Sequence, residues 1–212
     1  LSNLIDINFK NSVKLLASTN GRIILTGVGK SAIIGKKIVA TMNSTGSPAI
    51  FMHAAEALHG DLGIVQNDDV IIVISKSGNT QEIKQLVPFL KTTGVKLISI
   101  TSDKNSFLAI NSDFFINSFI EKEACPNNLA PTTSTTAQLV IGDAIAICLL
   151  EIKGFNKKDF AKYHPGGSLG KKLNVKVNDL LDLNLKPEVS FNEKFENIID
   201  EISKNMLGAT AV

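Results

Sequence analysis

The run "DDVIIVIS" (residues 68–75) sets Val70 to Ile74 side by side with no polar residue among them. A β-branched segment of that length reads as a strand, and a strand without alternation needs apolar cover on both faces. "RIILTG" (22–27) and "KLISIT" (96–101) follow the same pattern, with further strands at "PAIFMH" (48–53) and "DFFIN" (113–117). Helical spacing fills the gaps: a leading helix over 2–18, then 30–44, then 80–94 with Ile83, Leu86, Phe89 and Leu90 on one side, and a short helix near 105–110. "STTAQLVIGDAIAICLLEIKG" (134–154) is apolar on almost every side, so the spacing predicts a buried helix. Strands and helices in alternation imply an α/β fold: a five-stranded parallel sheet flanked by helices on both faces, doubly wound in the flavodoxin-like manner. Ligands in such sheets bind at the carboxyl ends of the strands. The loops starting at Gly27, His53, Ser75 and Thr101 should therefore share one edge.

Composition narrows the partners. With 212 residues, the chain suits one α/β domain and a possible appendage. An apolar content of 44% supplies a core, and a formal charge of +2 with no Trp and no basic cluster among aromatics implies no nucleic acid and no membrane partner. Cys125 and Cys148 form no CxxC pattern, which fits a reducing, cytoplasmic location. No signal peptide is evident, no apolar span is expected to be long enough to cross a bilayer, and a start at Leu1, not Met, leaves room for residues upstream.

Five stretches carry candidate chemistry. In "SKSGNTQEI" (75–83), Gly78 permits a sharp turn into a helix capped by Thr80 or Asn79. The hydroxyls of Ser75, Ser77 and Thr80 beside a helix N-terminus suit a small anion such as phosphate, although a plain capped βα turn reads equally well from this loop alone. "GVGKSAIIGKK" (27–37) is neither nucleotide motif: a P-loop needs glycine where Ile24 stands, and the dinucleotide fingerprint needs glycine where Ala32 stands. It leaves Lys30 and Ser31 at a helix start on the ligand edge, where a lysine is more often simply solvated. In "HAAEALHGDLG", His53, Glu56 and His59 would share a helical face, to bind a metal weakly, to orient a polar ligand, or merely as satisfied loop histidines. "EKEACPNNLAPTTSTT" places Glu123 in an apolar loop before hydroxyls that lead into the long helix, and "YHPGG" sets His164 in a turn after a short helix.

Together "GVGKS", "HAAEALHGDLG", "SKSGNTQEI", "EACPNNLAPTTSTT" and "YHPGGSLGKKL" resemble, in order and spacing, the sugar isomerase (SIS) domain of bacterial D-arabinose-5-phosphate isomerases over about residues 1–172. The resemblance implies an aldose–ketose isomerase that interconverts D-ribulose 5-phosphate and D-arabinose 5-phosphate through an enediolate, at the head of 3-deoxy-D-manno-octulosonate synthesis for lipopolysaccharide or capsule. It places the family's important lysine, two glutamates and histidine on Lys30, Glu82, Glu123 and His164, and its substrate-contacting histidines on His53 and His59. His53 is also a tentative zinc contact, although no cofactor is required. Ser31, Gly46, Ser47, Ser75, Ser77 and Thr80 complete the expected substrate-binding set. It further implies a homotetramer with shared active sites, the histidine crossing a subunit interface. Ala54 stands where many relatives have Pro.

Moving a carbonyl between adjacent carbons needs a base, a proton carrier for the oxygens and donors for the oxyanion. Glu123, Glu82, His59 and His164 are candidate proton carriers, with His164 or Glu123 favoured as carbon base, and Lys30 is suited to stabilising charge. The alternatives are a non-catalytic SIS sensor of sugar phosphates or an isomerase for another sugar phosphate. Residues 173–212 resemble the opening of a CBS regulatory domain, incomplete here: a "V-DLL" lead-in, a helix, then a strand beginning at "GATAV". A terminal helical arm is the plainer alternative.

Overall fold

A computed structural model describes residues 5–167, 170–172, 176, 187–206 and 208–212. The residues group into two compact units, Leu1–His164 and Pro165–Val212.

In the first unit, helix α1 (Ile7–Ser18) starts at Asp6, whose carboxylate accepts the N–H groups of Asn8 and Phe9. Strand β1 (Ile23–Gly27), helix α2 (Gly29–Ser44), strand β2 (Ala49–His53) and the single-turn α3 (Ala54–Ala57) follow. Next come a 3₁₀ turn over Asp61–Ile64, β3 (Val70–Ile74), α4 (Gln81–Thr92), β4 (Lys96–Thr101), α5 (Phe107–Ile110) and β5 (Phe114–Asn117). Helices α6 (Thr133–Ile152) and α7 (Lys157–Tyr163) close the unit.

The sheet runs β2-β1-β3-β4-β5 and every pairing is parallel, the expected doubly wound order. Every residue of β1 and of β3 is buried, as the absence of alternation requires. Their side chains feed two cores. Leu25, Ile72 and Ile98 pack with Phe9, Ile38, Met42 and Ile145 from α1, α2 and α6. Ile24, Ile71 and Val73 pack on the other face with Ile83, Leu86 and Leu90 of α4. Gly27 pairs with His53 and with Ile74, and Ile74 with Ile100, so the four loops expected on one edge do share it.

Helix α6 departs from expectation in two respects. It has 20 residues, and its most apolar 18-residue stretch has a mean hydropathy of 1.6, so by length and composition alone it could cross a membrane, which corrects the expectation that no such span exists. Nor is it buried all round: Ile141, Ile145 and Leu149 lie in the core, but Val140, Ile147 and Ile152 are exposed. Ile147 and Ile152 face Ile5, Phe9 and Val13 across an apolar groove of about 630 Å³.

In the second unit, α8 (Phe195–Asn205) ends at Met206 in the left-handed conformation. In place of the strand expected at "GATAV", Ala211 makes a single parallel bridge with Glu188. The "V-DLL" lead-in and residues 173–175, where the domain boundary was expected, lie outside the described residues.

Helices α2 and α6 cross closely at Gly142, where an added Cβ would sit 2.2 Å from Ile38 Cδ1 and 2.4 Å from Ile38 Cγ1. Gly142→Val should therefore cost about 1–3 kcal/mol through overpacking, read as a lower urea midpoint with an unchanged slope.

Candidate active site

Strands β1 and β3 are neighbours, but α2 leaves towards one face of the sheet and α4 towards the other. A crevice must open where the winding reverses, beyond the carboxyl ends of these strands. A cavity of about 270 Å³ occupies that place. Val28, Lys30 and Ser31 enter it from the first loop, Ser75, Lys76, Ser77 and Thr80 from the loop after β3, and Pro131, Ser134 and Thr135 from the start of α6.

The serine loop is held by its own turn. Gly78 takes φ +63°, and a Cβ there would lie 2.2 Å from Ser106 Oγ and 2.9 Å from Thr101 Oγ1. The Gly78 N–H donates to Ser75 Oγ at 3.1 Å, and the Asn79 N–H donates to Ser77 Oγ at 3.2 Å. Thr80 precedes α4 but makes no side-chain cap; its hydroxyl lies 3.1 Å from Ser75 Oγ instead. Among the described residues, the first N–H groups of α4 thus have neither intrahelical nor capping partners. Val28, which precedes α2, has no side chain able to cap. Two uncapped helix starts, with the cations of Lys30 and Lys76, border one cavity, an arrangement that favours an anion.

Glu123 lies under the third side of the cavity, 2% exposed. Lys76 Nζ donates to it at 2.7 Å, and the Thr132 N–H and Ser134 N–H at 2.9 and 3.1 Å. Ser134 Oγ also donates to it. Burial works to raise its pKa, but the hydrogen bonds from Lys76, Ser134 and the Thr132 and Ser134 backbone prevail and hold the carboxyl far below the usual carboxylate range. Glu123 therefore caps α6 and anchors Lys76. A carboxylate so fully engaged is a weak proton acceptor, which argues against the expected role as carbon base.

The remaining expected residues separate into three places. Lys30, Ser31, Ser75, Ser77 and Thr80 line the cavity. Glu82 stands half-buried in the first turn of α4. His53 and His59 belong to the β2 side and do not line it. His53 is the extended N-cap of the single-turn α3, and His59 follows that turn with its N–H donating to the Glu56 carbonyl at 2.8 Å, so the three do not sit on one regular helix. His53 Nδ1 accepts the Ala55 N–H at 3.3 Å, and no group of three or more His, Cys, Asp or Glu able to hold a metal occurs among the described residues. One imidazole nitrogen does not by itself make a zinc site, and the described residues of a single chain do not complete one around His53.

Gly46, Ser47 and His164 lie at the opposite edge of the sheet. Ser47 is fully buried and its Oγ accepts from Lys153 Nζ at 3.1 Å. Gly46 takes φ +82° against the Phe155 ring. His164 ends α7, with Nδ1 2.9 Å from the Phe160 carbonyl and Nε2 3.2 Å from Ser44 Oγ. Ser44 is the last residue of α2, whose first turn carries Lys30. The fifteen rises between the first and last residues of α2 (Gly29–Ser44) span about 22 Å at 1.5 Å each, so one chain does not bring His164 to its own cavity.

Lys76, Ser134 and Thr135 were missed as site residues. Lys76 sits between the two serines of the loop and so was legible; Ser134 and Thr135 read only as capping hydroxyls until the fold set them beside β1 and β3.

The SIS domain family profile matches residues 15–148. The chain belongs to the SIS domain family. It is 48% identical to arabinose 5-phosphate isomerase KdsD of Francisella tularensis, over 100% of the chain and 66% of that protein. It is 42% identical to a probable arabinose 5-phosphate isomerase of Haemophilus influenzae, over 100% of the chain and 63% of that protein. The chain thus spans about two thirds or slightly less of the length of these relatives. Among solved structures, an E. coli CFT073 protein in complex with arabinose 5-phosphate is 47% identical, with a TM-score of 0.74 over 77% of this chain and 89% of that one.

The Glu123 cluster sets a pH dependence for the SIS domain. A carboxyl whose pKa is lower folded than unfolded stabilises the fold above its unfolded value, about 4.3, and loses that contribution as pH falls towards the folded value. Urea midpoints should therefore drop on acidification below about pH 5. Glu123→Gln should lose about 1–3 kcal/mol at pH 7 and show a shallower drop, and a drop as steep as that of the wild type would remove Glu123 as its source.

Proposed function

We propose that the SIS domain interconverts D-ribulose 5-phosphate and D-arabinose 5-phosphate, supplying 3-deoxy-D-manno-octulosonate synthesis for lipopolysaccharide or capsule in the cytoplasm. The observation that carries this reading is the anion-favouring cavity at the switch point, in a chain 47% identical to a protein bound to arabinose 5-phosphate. The serine loop and the free N–H groups of α4 hold the phosphate, and that binding energy fixes the reacting carbons at the mouth of the cavity. Lys30 stabilises the enediolate oxygen, and Glu123 acts by positioning Lys76 and α6. Proton transfer at carbon falls to Glu82 or to His164 of a second copy. No cofactor is required by this chemistry.

The reading includes a homotetramer with shared active sites. Its support is the 22 Å separation argued above, about the length of α2, together with the exposed apolar stripe of α6 and the groove it forms with α1. Gly46, Ser47 and His164 would then serve a neighbour's cavity. Residues 173–212 are read as the start of a CBS regulatory domain.

A panel of pentose and hexose phosphates tests the activity, and a protein inactive on all of them would leave the sensor reading. Ser77→Ala should weaken the phosphorylated pentose about ten- to hundredfold, as loss of a hydrogen bond to a charged group does, and spare the unphosphorylated sugar. Equal losses for both sugars would take phosphate out of this loop. Mixed oligomers of His164→Ala and Glu82→Ala chains, each nearly inactive alone, should regain partial activity, because some sites receive both intact residues. Mixed oligomers as inactive as their parents would confine His164 to its own chain.

A further inference from the structure

The hydroxyls of the cavity divide by where their protons go. Ser31 Oγ donates to Gln138 Oε1 at 3.1 Å, Thr135 Oγ1 to the Thr132 carbonyl at 2.9 Å, and Ser134 Oγ to Glu123. A hydroxyl has one proton, so each of these three is left able only to accept from a ligand. On the serine-loop side, Ser77 Oγ accepts from the Asn79 N–H and keeps its proton. Ser75 and Thr80 share one hydrogen bond between two protons, so one proton is spare. The two walls therefore have opposite chemistry. Ionised phosphate oxygens accept and suit the serine loop, whereas sugar hydroxyls can donate and suit the wall of Ser31, Ser134 and Thr135.

Ser31 owes this polarity to a side chain with no other evident task. Gln138 is 1% exposed, one turn beyond Ser134 on α6. It does not line the cavity, and its Nε2 has no hydrogen-bond partner among the described residues. A buried amide with an unmet donor is costly, and an apolar residue of similar size would avoid that cost. We infer that Gln138 is a specificity-determining positioning residue, holding the Ser31 hydroxyl as an acceptor for a hydroxyl of the sugar chain. This rests on the sugar-phosphate reading above and adds the residue that separates sugar recognition from phosphate recognition.

Gln138→Met keeps the length of the side chain and removes both the acceptor and the unmet donor. Calorimetric titration of the full chain with D-arabinose 5-phosphate and with inorganic phosphate should show the pentose phosphate bound about three- to tenfold more weakly, the worth of one neutral hydrogen bond. Inorganic phosphate should bind as tightly as before, and the melting temperature should not fall. Ser31→Ala, on the cavity wall, should give the same split, and the double variant should be no weaker than either single one, because both act through one hydrogen bond. Equal losses for both ligands, no loss for the sugar phosphate, or additive losses in the double variant would each overturn the assignment. Should Gln138→Met fail to fold, Ser31→Ala carries the same comparison. A wild type that binds phosphate but no pentose phosphate would overturn the sugar-phosphate reading along with it; sugar binding unaffected by either substitution would overturn the Gln138 assignment alone.

Discussion

Two adjacent strands with no polar face, β1 and β3, must be covered from both sides, and most of the molecule follows from that demand. Helices α1, α2 and α6 cover one face and α4 the other. Because α2 and α4 follow neighbouring strands yet leave to opposite faces, the chain cannot close the space between their starts. The cavity is thus a by-product of how the core is buried. The residues that follow β1 and β3 are its walls whatever their identity, and chemistry enters through which residues stand there.

What stands there is polar groups left partly unsatisfied. Thr80 turns its hydroxyl to Ser75 instead of capping α4, and Val28 offers α2 no cap. A helix start without a cap forgoes about 1 kcal/mol of stability. In exchange its N–H groups and dipole stay available to an anion. The start of α6 is treated differently, being capped by a buried carboxylate that also ties down Lys76. Two helix starts are open and one is closed, which gives the cavity a side that favours an anion and a fixed side.

Legibility varied with the range of the interaction. The unbroken apolar runs of β1 and β3 announced a doubly covered parallel sheet, and Gly78 with its neighbouring hydroxyls announced an anion loop. These depend on residues within one or two turns of each other. Glu123 reads along the chain as a carboxylate in a dry loop, but its partners Lys76 and Ser134 are 47 and 11 residues away, so sequence spacing does not separate a capping role from a catalytic one. The trio at His53, Glu56 and His59 looked helical because three-residue spacing was the only guide. The helix is a single turn, with His53 extended before it and His59 beyond its end.

The sequence by itself determined the sheet, its parallel sense and the edge on which the cavity opens, because periodicity and burial are local properties of each segment. It also carried the family, through the spacing of five motifs. Only the tertiary structure decided which of the candidate residues meet. It brought Lys30, Lys76 and the serines to one cavity, committed Glu123 to the start of α6, and set His164 beside Ser44 at the far end of α2. It also left Val140, Ile147 and Ile152 of an apolar helix exposed. The reason is geometric: a side chain's position relative to distant residues follows from how helices pack on the sheet, and no spacing along the chain encodes that distance.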